Sequence, residues 1–219
     1  MTVEEVVRRI GEIGIIPVVR AHSVQVARLA AEAICAGGLP IIEITMTVPN
    51  APEVIRQVVN EYGRELLTGA GTVTTASQAQ ACLDAGAQFL VSPGLCASVL
   101  PLAAARRVLA IPGVLTPSEV VAAQELGVNL VKVFPCGSAG GARHIKALKG
   151  PFPNLAMIPT GGITLANVGE YISAGAFALG VGSELVNEAA LLKDTASVVQ
   201  ETRKFLVAVR EARCSIHRS

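Results

Sequence analysis

The stretch that decides the fold runs from Asn129 to Pro135 and reads NLVKVFP. A strand of a parallel sheet that is covered on both faces is normally a near-continuous apolar run, and this stretch has that pattern except at Lys132. Lysine is almost never fully buried without a partner. Removal from water disfavours the ammonium form, which is one way in which proteins obtain a nucleophilic amine. The stretch therefore predicts a buried parallel strand that carries a functional lysine.

A second apolar stretch, IIEIT at positions 41–45, carries the opposite charge at Glu43. Side chains alternate along a strand, so Lys132 and Glu43 are each expected to face away from their apolar neighbours and into the interior. Such a pair fits acid–base and nucleophilic chemistry. Two alternatives stay open: Glu43 forms a structural ion pair with Lys132 or Arg20, or Lys132 protects an edge strand against aggregation.

Strands and helical segments alternate along the whole chain, and eight strand–helix units predict an α/β fold, a single (β/α)8 (TIM) barrel in one domain over residues 1–219. Apolar residues recur on one helical face between Val3 and Ile13, which predicts an extra capping helix at the N-terminus (1–13). A long helix is expected from about Thr195 to Arg213. The predicted strands are Ile15–Arg20, Pro40–Met46, Leu66–Ala70, Phe89–Ser92, Leu109–Ile111, Leu130–Phe134, Ala156–Pro159 and Ala178–Val181.

Composition narrows the range of functions. The chain has 18 Lys and Arg against 17 Asp and Glu, and a net charge of +1 provides no electrostatic footprint for nucleic acid or an anionic membrane. The three histidines are far apart and lack H-E-x-x-H spacing, so we expect no metal site. Five cysteines without C-x-x-C spacing, and no apolar run long enough to span a bilayer, predict a soluble cytoplasmic protein.

Polar groups follow several predicted strands, at the end of a barrel where catalytic groups lie. Two glycine-containing turns, PTGGIT at 159–164 and GVGS at 180–183, follow the last two strands, where such barrels bind phosphate through backbone N–H groups. Glycine is also common in any turn. Arg20 suits a carboxylate or is an ordinary solvated strand-end arginine. Thr72 is a substrate contact or the N-cap of the next helix.

Together, these features resemble the 2-keto-3-deoxy-6-phosphogluconate (KDPG)/4-hydroxy-2-oxoglutarate (KHG) aldolase family, class I aldolases that form a Schiff base on a (β/α)8 barrel. The resemblance covers nearly the whole chain. The individual motifs are short, and their order together with the lysine motif makes the set specific. They are IEIT (42–45), GAGTV (69–73), SPG (92–94), KVFP (132–135) and PTGGI (159–163).

The resemblance implies a role for each candidate residue. Lys132 forms the Schiff base with the substrate ketone, and Glu43 transfers protons. The pyruvate end is lined by Thr72, Pro93 and Phe134, and the substrate phosphate is bound by Gly161, Gly162 and Ser183. The mechanism needs no cofactor, and the family is typically homotrimeric.

One position departs from the family pattern. Some members carry an arginine four residues after the glutamate, where it contacts the pyruvate carboxylate, and this chain has Thr47 there. Our hypothesis is that Arg20 supplies the carboxylate contact, and both Arg20 and Thr47 are retained as substrate-binding candidates.

The predicted activity is that of an aldehyde-lyase that cleaves KDPG to pyruvate and glyceraldehyde 3-phosphate, KHG to pyruvate and glyoxylate, or both. The Entner–Doudoroff pathway of carbohydrate metabolism is the expected setting for the phosphorylated substrate. One alternative is a sugar-phosphate isomerase or epimerase on the same barrel that forms no covalent imine. Another is a non-catalytic phosphate-binding barrel, which would give Lys132 and Glu43 no task.

Overall fold

The computed structural model describes residues 1–216, in which parallel strands alternate with helices. The strands are β1 (Ile15–Val19), β2 (Ile41–Thr45), β3 (Leu67–Gly71), β4 (Phe89–Val91), β5 (Leu109–Ile111), β6 (Gly113–Val114), β7 (Leu130–Val133), β8 (Ala156–Pro159) and β9 (Leu179–Val181). The helices are α1 (Val3–Ile13), α2 (Val24–Ala36), α3 (Ala51–Tyr62), α4 (Ala76–Asp84), α5 (Leu100–Ala105), α6 (Pro117–Glu125), α7 (Ala142–Lys149), α8 (Val168–Ser173), α9 (Glu188–Lys193) and α10 (Thr195–Ile216). A short 3-10 turn covers Gly137–Ala139.

The N-terminal helix α1 has the bounds that the sequence predicts. A capping box fixes its start, because the Thr2 side chain accepts a hydrogen bond from the Glu5 backbone N–H and the Glu5 side chain accepts one from the Thr2 N–H. Gly14 ends the helix in the left-handed conformation, with φ at 78°. The chain then passes directly into β1.

The strands pair in two parallel sheets. One has the order β5-β4-β3-β2-β1-β9 and the other the order β6-β7-β8. Only Pro112 separates β5 from β6, and because proline has no N–H it cannot donate to a ladder. Its carbonyl still accepts a hydrogen bond of 2.9 Å from the backbone N–H of Lys132. A single parallel bridge between Thr160 and Gly180 connects the end of β8 to β9.

All eight predicted strands are present, with ends that differ from the prediction by no more than a residue or two. The two-residue strand β6 was not predicted. Arg20, predicted as the last residue of the first strand, lies just beyond β1. The final helix extends to Ile216, beyond the predicted end at Arg213.

The buried interior consists mainly of Ala, Val, Ile and Leu. Charged side chains are rare in it, since the only Asp, Glu, Lys or Arg residues buried within residues 1–216 are Glu43 and Lys132. Across the same residues, no helix combines the length and apolar character needed to cross a membrane.

Candidate active site

Lys132 and Glu43 meet inside the fold. Lys132 on β7 is 3% exposed, Glu43 on β2 is 2% exposed, and Nζ lies 3.7 Å from Oε1. A small enclosed space of about 10 Å³ adjoins both side chains. Strands of both sheets line it, and the other lining residues are Ile16, Val91, Ile111, Ile158, Thr160 and Gly180. Lys132 and Glu43 thus face the interior, as the alternation of side chains along a strand predicts.

The carboxylate of Glu43 is not fully satisfied. Its Oε1 atom is buried and has no hydrogen-bond partner among the described residues. The 3.7 Å to Lys132 Nζ is an ion-pair distance and exceeds that of a hydrogen bond. Burying an unpaired acceptor costs free energy, so such an atom in a native fold calls for a specific explanation. A substrate proton or a water that enters the space would satisfy it.

A glycine on the neighbouring strand makes room for this carboxylate. A Cβ atom added to Gly71, the last residue of β3, would overlap Oε1 of Glu43. Gly71 belongs to the GAGTV motif, but sequence reasoning did not identify it as a site residue. The signal was available, since a glycine within a strand often marks a close approach by another group.

Phe134, the residue directly after β7, lies near the amine of Lys132. The Lys132 Nζ atom lies 5.3 Å from the centroid of the Phe134 ring, within the range of a cation–π interaction. A Cβ atom on Gly161 would lie 3.5 Å from the same ring, so Phe134 connects the lysine to the loop that follows β8.

Thr72 has a strained backbone. Its φ is 56°, which is uncommon for a residue with a branched side chain. Such strain is typical of functional positions. The N-cap alternative is wrong, because the N-cap of α4 is Thr75, whose side chain accepts from the Gln78 N–H. No hydrogen bond engages the Thr72 hydroxyl within residues 1–216.

The remaining two candidates for the pyruvate end follow β2 and β4, the strands on either side of β3. The Thr47 hydroxyl is exposed and lies 2.6 Å from the hydroxyl of Thr45, which donates to the carbonyl of Val19. Pro93 is half-buried after β4, and a Cβ atom on Gly113 would overlap its carbonyl.

The two glycine-containing turns form adjacent loops with unpaired backbone donors. Gly161 and Gly162 have φ of 89° and 78°, and the bridge between Thr160 and Gly180 holds their loop beside the one after β9. The backbone N–H groups of Gly162, Ile163, Ser183 and Glu184, all in or next to these loops, have no acceptor within the described part of the chain. Consecutive unpaired N–H groups are typical of anion-binding sites. The hydroxyl of Ser183 is exposed beside them.

Arg20 is exposed and points towards the loop after β9. Its Nη1 atom lies 3.3 Å from the position that a Cβ atom on Gly182 would occupy. The guanidinium has no hydrogen bond or ion pair within residues 1–216. Among the described residues it is therefore a cation without a partner.

Cys136 follows β7, and its thiol is a poor nucleophile at neutral pH. Its thiol is buried and donates to the carbonyl of Gly141 at 3.6 Å. Burial raises its pKa to about 11, which leaves very little thiolate at neutral pH. Burial likewise raises the pKa of Tyr171, beside it, to about 12.

A larger cavity, of about 1260 Å³, lies at the opposite end of the strands, between α1 and the residues that precede β7. It contains neither Lys132 nor Glu43. Each of its cations has a partner. Arg8 pairs with the Glu12 carboxylate, Lys149 donates to the carbonyls of Pro153 and Leu155, and Arg213 donates to the carbonyls of Glu12 and Phe177. We therefore place the candidate active site at the smaller space.

Comparisons with known proteins show the family to which the chain belongs. The family model described as KDPG and KHG aldolase matches residues 4–201. The 2-dehydro-3-deoxy-phosphogluconate aldolase of Pseudoalteromonas atlantica is 37% identical over 73% of this chain and 74% of its own length. The 2-dehydro-3-deoxy-6-phosphogalactonate aldolase of Escherichia coli is 34% identical over 82% of this chain and 86% of its own.

A solved structure extends the similarity to three dimensions. The KDPG aldolase of Legionella pneumophila, with pyruvate captured as a covalent carbinolamine intermediate, superposes with a TM-score of 0.84. It is 32% identical, and the match covers 90% of this chain and 96% of that one. By family model, sequence and structure, this chain belongs to the KDPG and KHG aldolase family.

Proposed function

We propose that the protein is a class I aldolase, a carbon–carbon lyase that cleaves KDPG to pyruvate and glyceraldehyde 3-phosphate, KHG to pyruvate and glyoxylate, or both. The observation that carries the proposal is the buried amine of Lys132, 3.7 Å from a carboxylate oxygen of Glu43 that has no hydrogen-bond partner among the described residues. Family membership and the covalent pyruvate adduct of the Legionella relative support the same chemistry.

The reaction begins at the substrate ketone. The Lys132 amine attacks the C2 carbonyl carbon to give a carbinolamine, which takes up one proton from water and loses a water molecule to become a protonated imine. Glu43, directly or through a water molecule, takes the proton of the C4 hydroxyl. The electrons of the C3–C4 bond move into the imine, and the products of this step are an enamine and a free aldehyde.

The second half of the reaction restores the enzyme. The protonated Glu43 returns its proton to C3 of the enamine, which regenerates the imine of pyruvate. Water then hydrolyses this imine, which replaces the water that was lost at the start and releases the proton that was taken up there. Pyruvate leaves, Lys132 is again a free amine, and no electrons are exchanged with a cofactor.

The proposed substrate contacts follow the strand ends. Thr72, Pro93 and Phe134 line the pyruvate end, with Thr47 beside them. Gly161, Gly162 and Ser183 bind the phosphate through the adjacent loops, and the support for this is the four backbone N–H groups there without acceptors in the described residues. Arg20 completes the substrate-binding set.

The two sheets are proposed to be parts of one closed (β/α)8 barrel in a single domain, with α1 as a cap. In this interpretation, β5 and β6 are one strand interrupted at Pro112, and the bridge from Thr160 to Gly180 is the closing pair. Residues 217–219, which the predicted domain includes, lie outside the described part of the chain.

A homotrimer in the cytoplasm is also part of the proposal. Exposed apolar side chains, including Val121, Leu126, Leu192 and Val207, are available for contacts between subunits. All five cysteines are free, as is usual in a reducing compartment. Light scattering coupled to size-exclusion chromatography measures the assembly, and a mass of one chain or two would contradict the trimer.

Borohydride reduction in the presence of pyruvate tests the proposed chemistry. We expect a reduced pyruvyl adduct on Lys132, located by peptide mass spectrometry, and no adduct in Lys132→Ala. Lys146→Ala, which removes an exposed lysine on α7, is the control and should keep the adduct. An isomerase or epimerase that uses Lys132 only as an acid or base would give no adduct in any of the three proteins.

A further inference from the structure

We propose that the hydroxyl of Thr47 accepts a hydrogen bond from the C5 hydroxyl of KDPG, and that it does not bind the pyruvate carboxylate. Thr47 then selects aldehydes that carry a hydroxyl on the carbon next to the carbonyl. The inference rests on the proposed function, because it concerns the substrate of that reaction. It moves Thr47 from the pyruvate end of the site to the part that holds the aldehyde.

The hydroxyl of Thr45 fixes the direction of the hydroxyl of Thr47. Thr45 Oγ1 lies 3.0 Å from the carbonyl oxygen of Val19, and because a carbonyl oxygen can only accept, the one hydroxyl proton of Thr45 is donated there. The 2.6 Å hydrogen bond between the two threonine oxygens must therefore use the proton of Thr47. With its proton engaged, the Thr47 oxygen offers only lone pairs to a ligand.

An oxygen that can only accept does not suit a carboxylate. An ionised carboxylate is itself acceptor-only, so the two groups have no proton to share. KDPG carries hydroxyl protons on C4 and C5, and in the proposed mechanism Glu43 takes the C4 proton. The C5 hydroxyl is the donor that remains for Thr47.

The positions along β2 and β3 agree with this order. A Cβ atom on Gly71 would overlap Glu43 Oε1, and Gly71 pairs with Thr45 in the ladder, so the carboxylate of Glu43 reaches the level of Thr45. Thr47 follows Thr45 by two residues and is at most about 7 Å further along the chain. C5 is likewise the next carbon after C4 in the direction away from Lys132.

The accessibility of the two threonines differs. Thr47 is exposed and can meet a ligand, whereas Thr45, which orients it, is fully buried. Thr47 is not among the residues that line the enclosed space beside Lys132. The carboxylate of a 2-keto acid is bonded directly to the carbon that Lys132 attacks, so it stays in that space and away from Thr47.

Three aldehydes separate the possible contacts of Thr47 in the synthetic direction, each with pyruvate as the second reactant. Glyceraldehyde 3-phosphate carries the hydroxyl that becomes the C5 hydroxyl of KDPG. 3-Phosphooxypropanal is identical except that it lacks this hydroxyl, so any effect on the phosphate is common to both. Glyoxylate has a carboxylate at this position, which faces the lone pairs of Thr47 without a proton.

The test measures kcat/KM for these aldehydes in wild type, Thr47→Val and Thr47→Ser. We expect Thr47→Val to lower the value for glyceraldehyde 3-phosphate about 3- to 10-fold, the usual effect of one neutral hydrogen bond, and to change the value for 3-phosphooxypropanal less than about twofold. Thr47→Ser keeps the hydroxyl and should keep the ratio between the two aldehydes. Thr195→Val, which alters an exposed threonine at the start of α10, is the control and should match wild type.

Thr45→Val tests Thr45 as a positioning residue. It removes the acceptor for the Thr47 proton, so that Thr47 becomes free to donate to a carboxylate. We expect kcat/KM for glyoxylate, relative to that for glyceraldehyde 3-phosphate, to rise about 3- to 10-fold. Thr45→Ser should keep the wild-type ratio. A purely structural defect would lower the values for all three aldehydes together, and circular dichroism shows whether the fold is retained.

Borohydride trapping with pyruvate separates this inference from the proposed function. The pyruvate concentration for half-maximal trapping should be the same in wild type and Thr47→Val, and weaker trapping in the variant would restore the carboxylate assignment. Trapping of pyruvate by wild type, combined with an equal change or no change for glyceraldehyde 3-phosphate and 3-phosphooxypropanal in Thr47→Val, would overturn the inference alone. A wild type that traps no pyruvate would overturn the Schiff-base proposal and this inference with it.

Discussion

The carboxylate of Glu43 lies over the backbone of Gly71, at a point where any side chain on the neighbouring strand would overlap its Oε1 atom. Glu43 pairs with Gly69 along the ladder, and its side chain leans towards the carboxyl end of β3. The orientation of the proposed proton carrier therefore depends on a residue that itself has no reactive group.

Gly71→Ala should displace Glu43 from Lys132 and lower kcat by roughly 100-fold, the lower range for a misplaced general acid–base group. The backbone at Gly71 does not need a positive φ, so the loss would come from the carboxylate. Steady-state kinetics measures kcat, and circular dichroism shows whether the fold is retained. Gly169→Ala is the control, since nothing lies within 4 Å of its Cβ position on α8, and it should stabilise the protein by about 0.5–1 kcal/mol with full activity. A fully active Gly71→Ala would contradict the positioning role.

Glu43→Gln keeps the size of the side chain and removes its charge and basicity. We expect kcat for cleavage to fall by about 10²- to 10⁴-fold, as is usual for a general acid–base residue. The imine with pyruvate should still form, because the amine of Lys132 is unchanged. Stopped assays of pyruvate release and borohydride trapping, run on the same preparation, separate the two steps. Equal loss of both would show that Glu43 serves imine formation and not cleavage alone.

Thr72→Gly should have two effects: it relieves the backbone strain at φ 56°, and it removes the hydroxyl that is proposed to contact pyruvate. Glycine tolerates positive φ, while strain of this kind costs about 1–3 kcal/mol, so the melting temperature should stay level or rise. The pyruvate concentration for half-maximal trapping should increase about tenfold, the cost of one hydrogen bond. Thr72→Ser keeps the hydroxyl and should bind pyruvate normally. A destabilised Thr72→Gly that binds pyruvate normally would contradict both expectations.

The buried thiol of Cys136 predicts a loss of stability in alkali. Its pKa is raised by burial to about 11 from the ordinary value of 9.0, so the folded state keeps a proton that the unfolded state releases. Its contribution to stability is complete below about pH 9 and is lost as the pH rises towards 11. Cys136→Ala should lower stability at neutral pH through the cavity it leaves, yet show a smaller further decrease in urea unfolding free energy between pH 8 and about pH 10.5.

Cys214→Ala is the control for this pH experiment. Cys214 is exposed, so its replacement should leave the alkaline decrease as it is in wild type. An identical pH dependence in Cys136→Ala and wild type would show that Cys136 does not contribute to it.

The sequence predicts the strands well because local signals mark them. Gly38, Gly86, Gly127 and Gly175 each lie shortly before a strand and have φ between 78° and 94°, the left-handed conformation in which glycine commonly ends a helix. Lys132 and Glu43 could be located because each is a charge in the middle of an apolar strand, and the twofold alternation then fixes the side that they face.

Other features of the site depend on residues that are distant in sequence. The direction of Arg20 is decided by β9, and a long flexible side chain carries no local signal of its partner. The backbone strain at Thr72 arises where the chain leaves β3, and propensity alone does not reveal it. The interruption at Pro112 did have a signal, since proline lacks the N–H that a ladder needs, and the prediction ended the strand there without the short continuation β6.

Arg20 and the N–H groups that have no acceptor within residues 1–216 lie on loops, whereas Lys132 and Glu43, the proposed reacting pair, lie within strands. Loops tolerate sequence change far better than buried strands do. In a family built in this way, the loops can change to suit a different aldehyde, whether that aldehyde is released in cleavage or accepted in synthesis. The strands that hold the pyruvyl unit can stay the same. For enzyme engineering, the loops after β8 and β9 are the places to recruit new acceptor aldehydes, and β2, β3 and β7 are the places to leave alone.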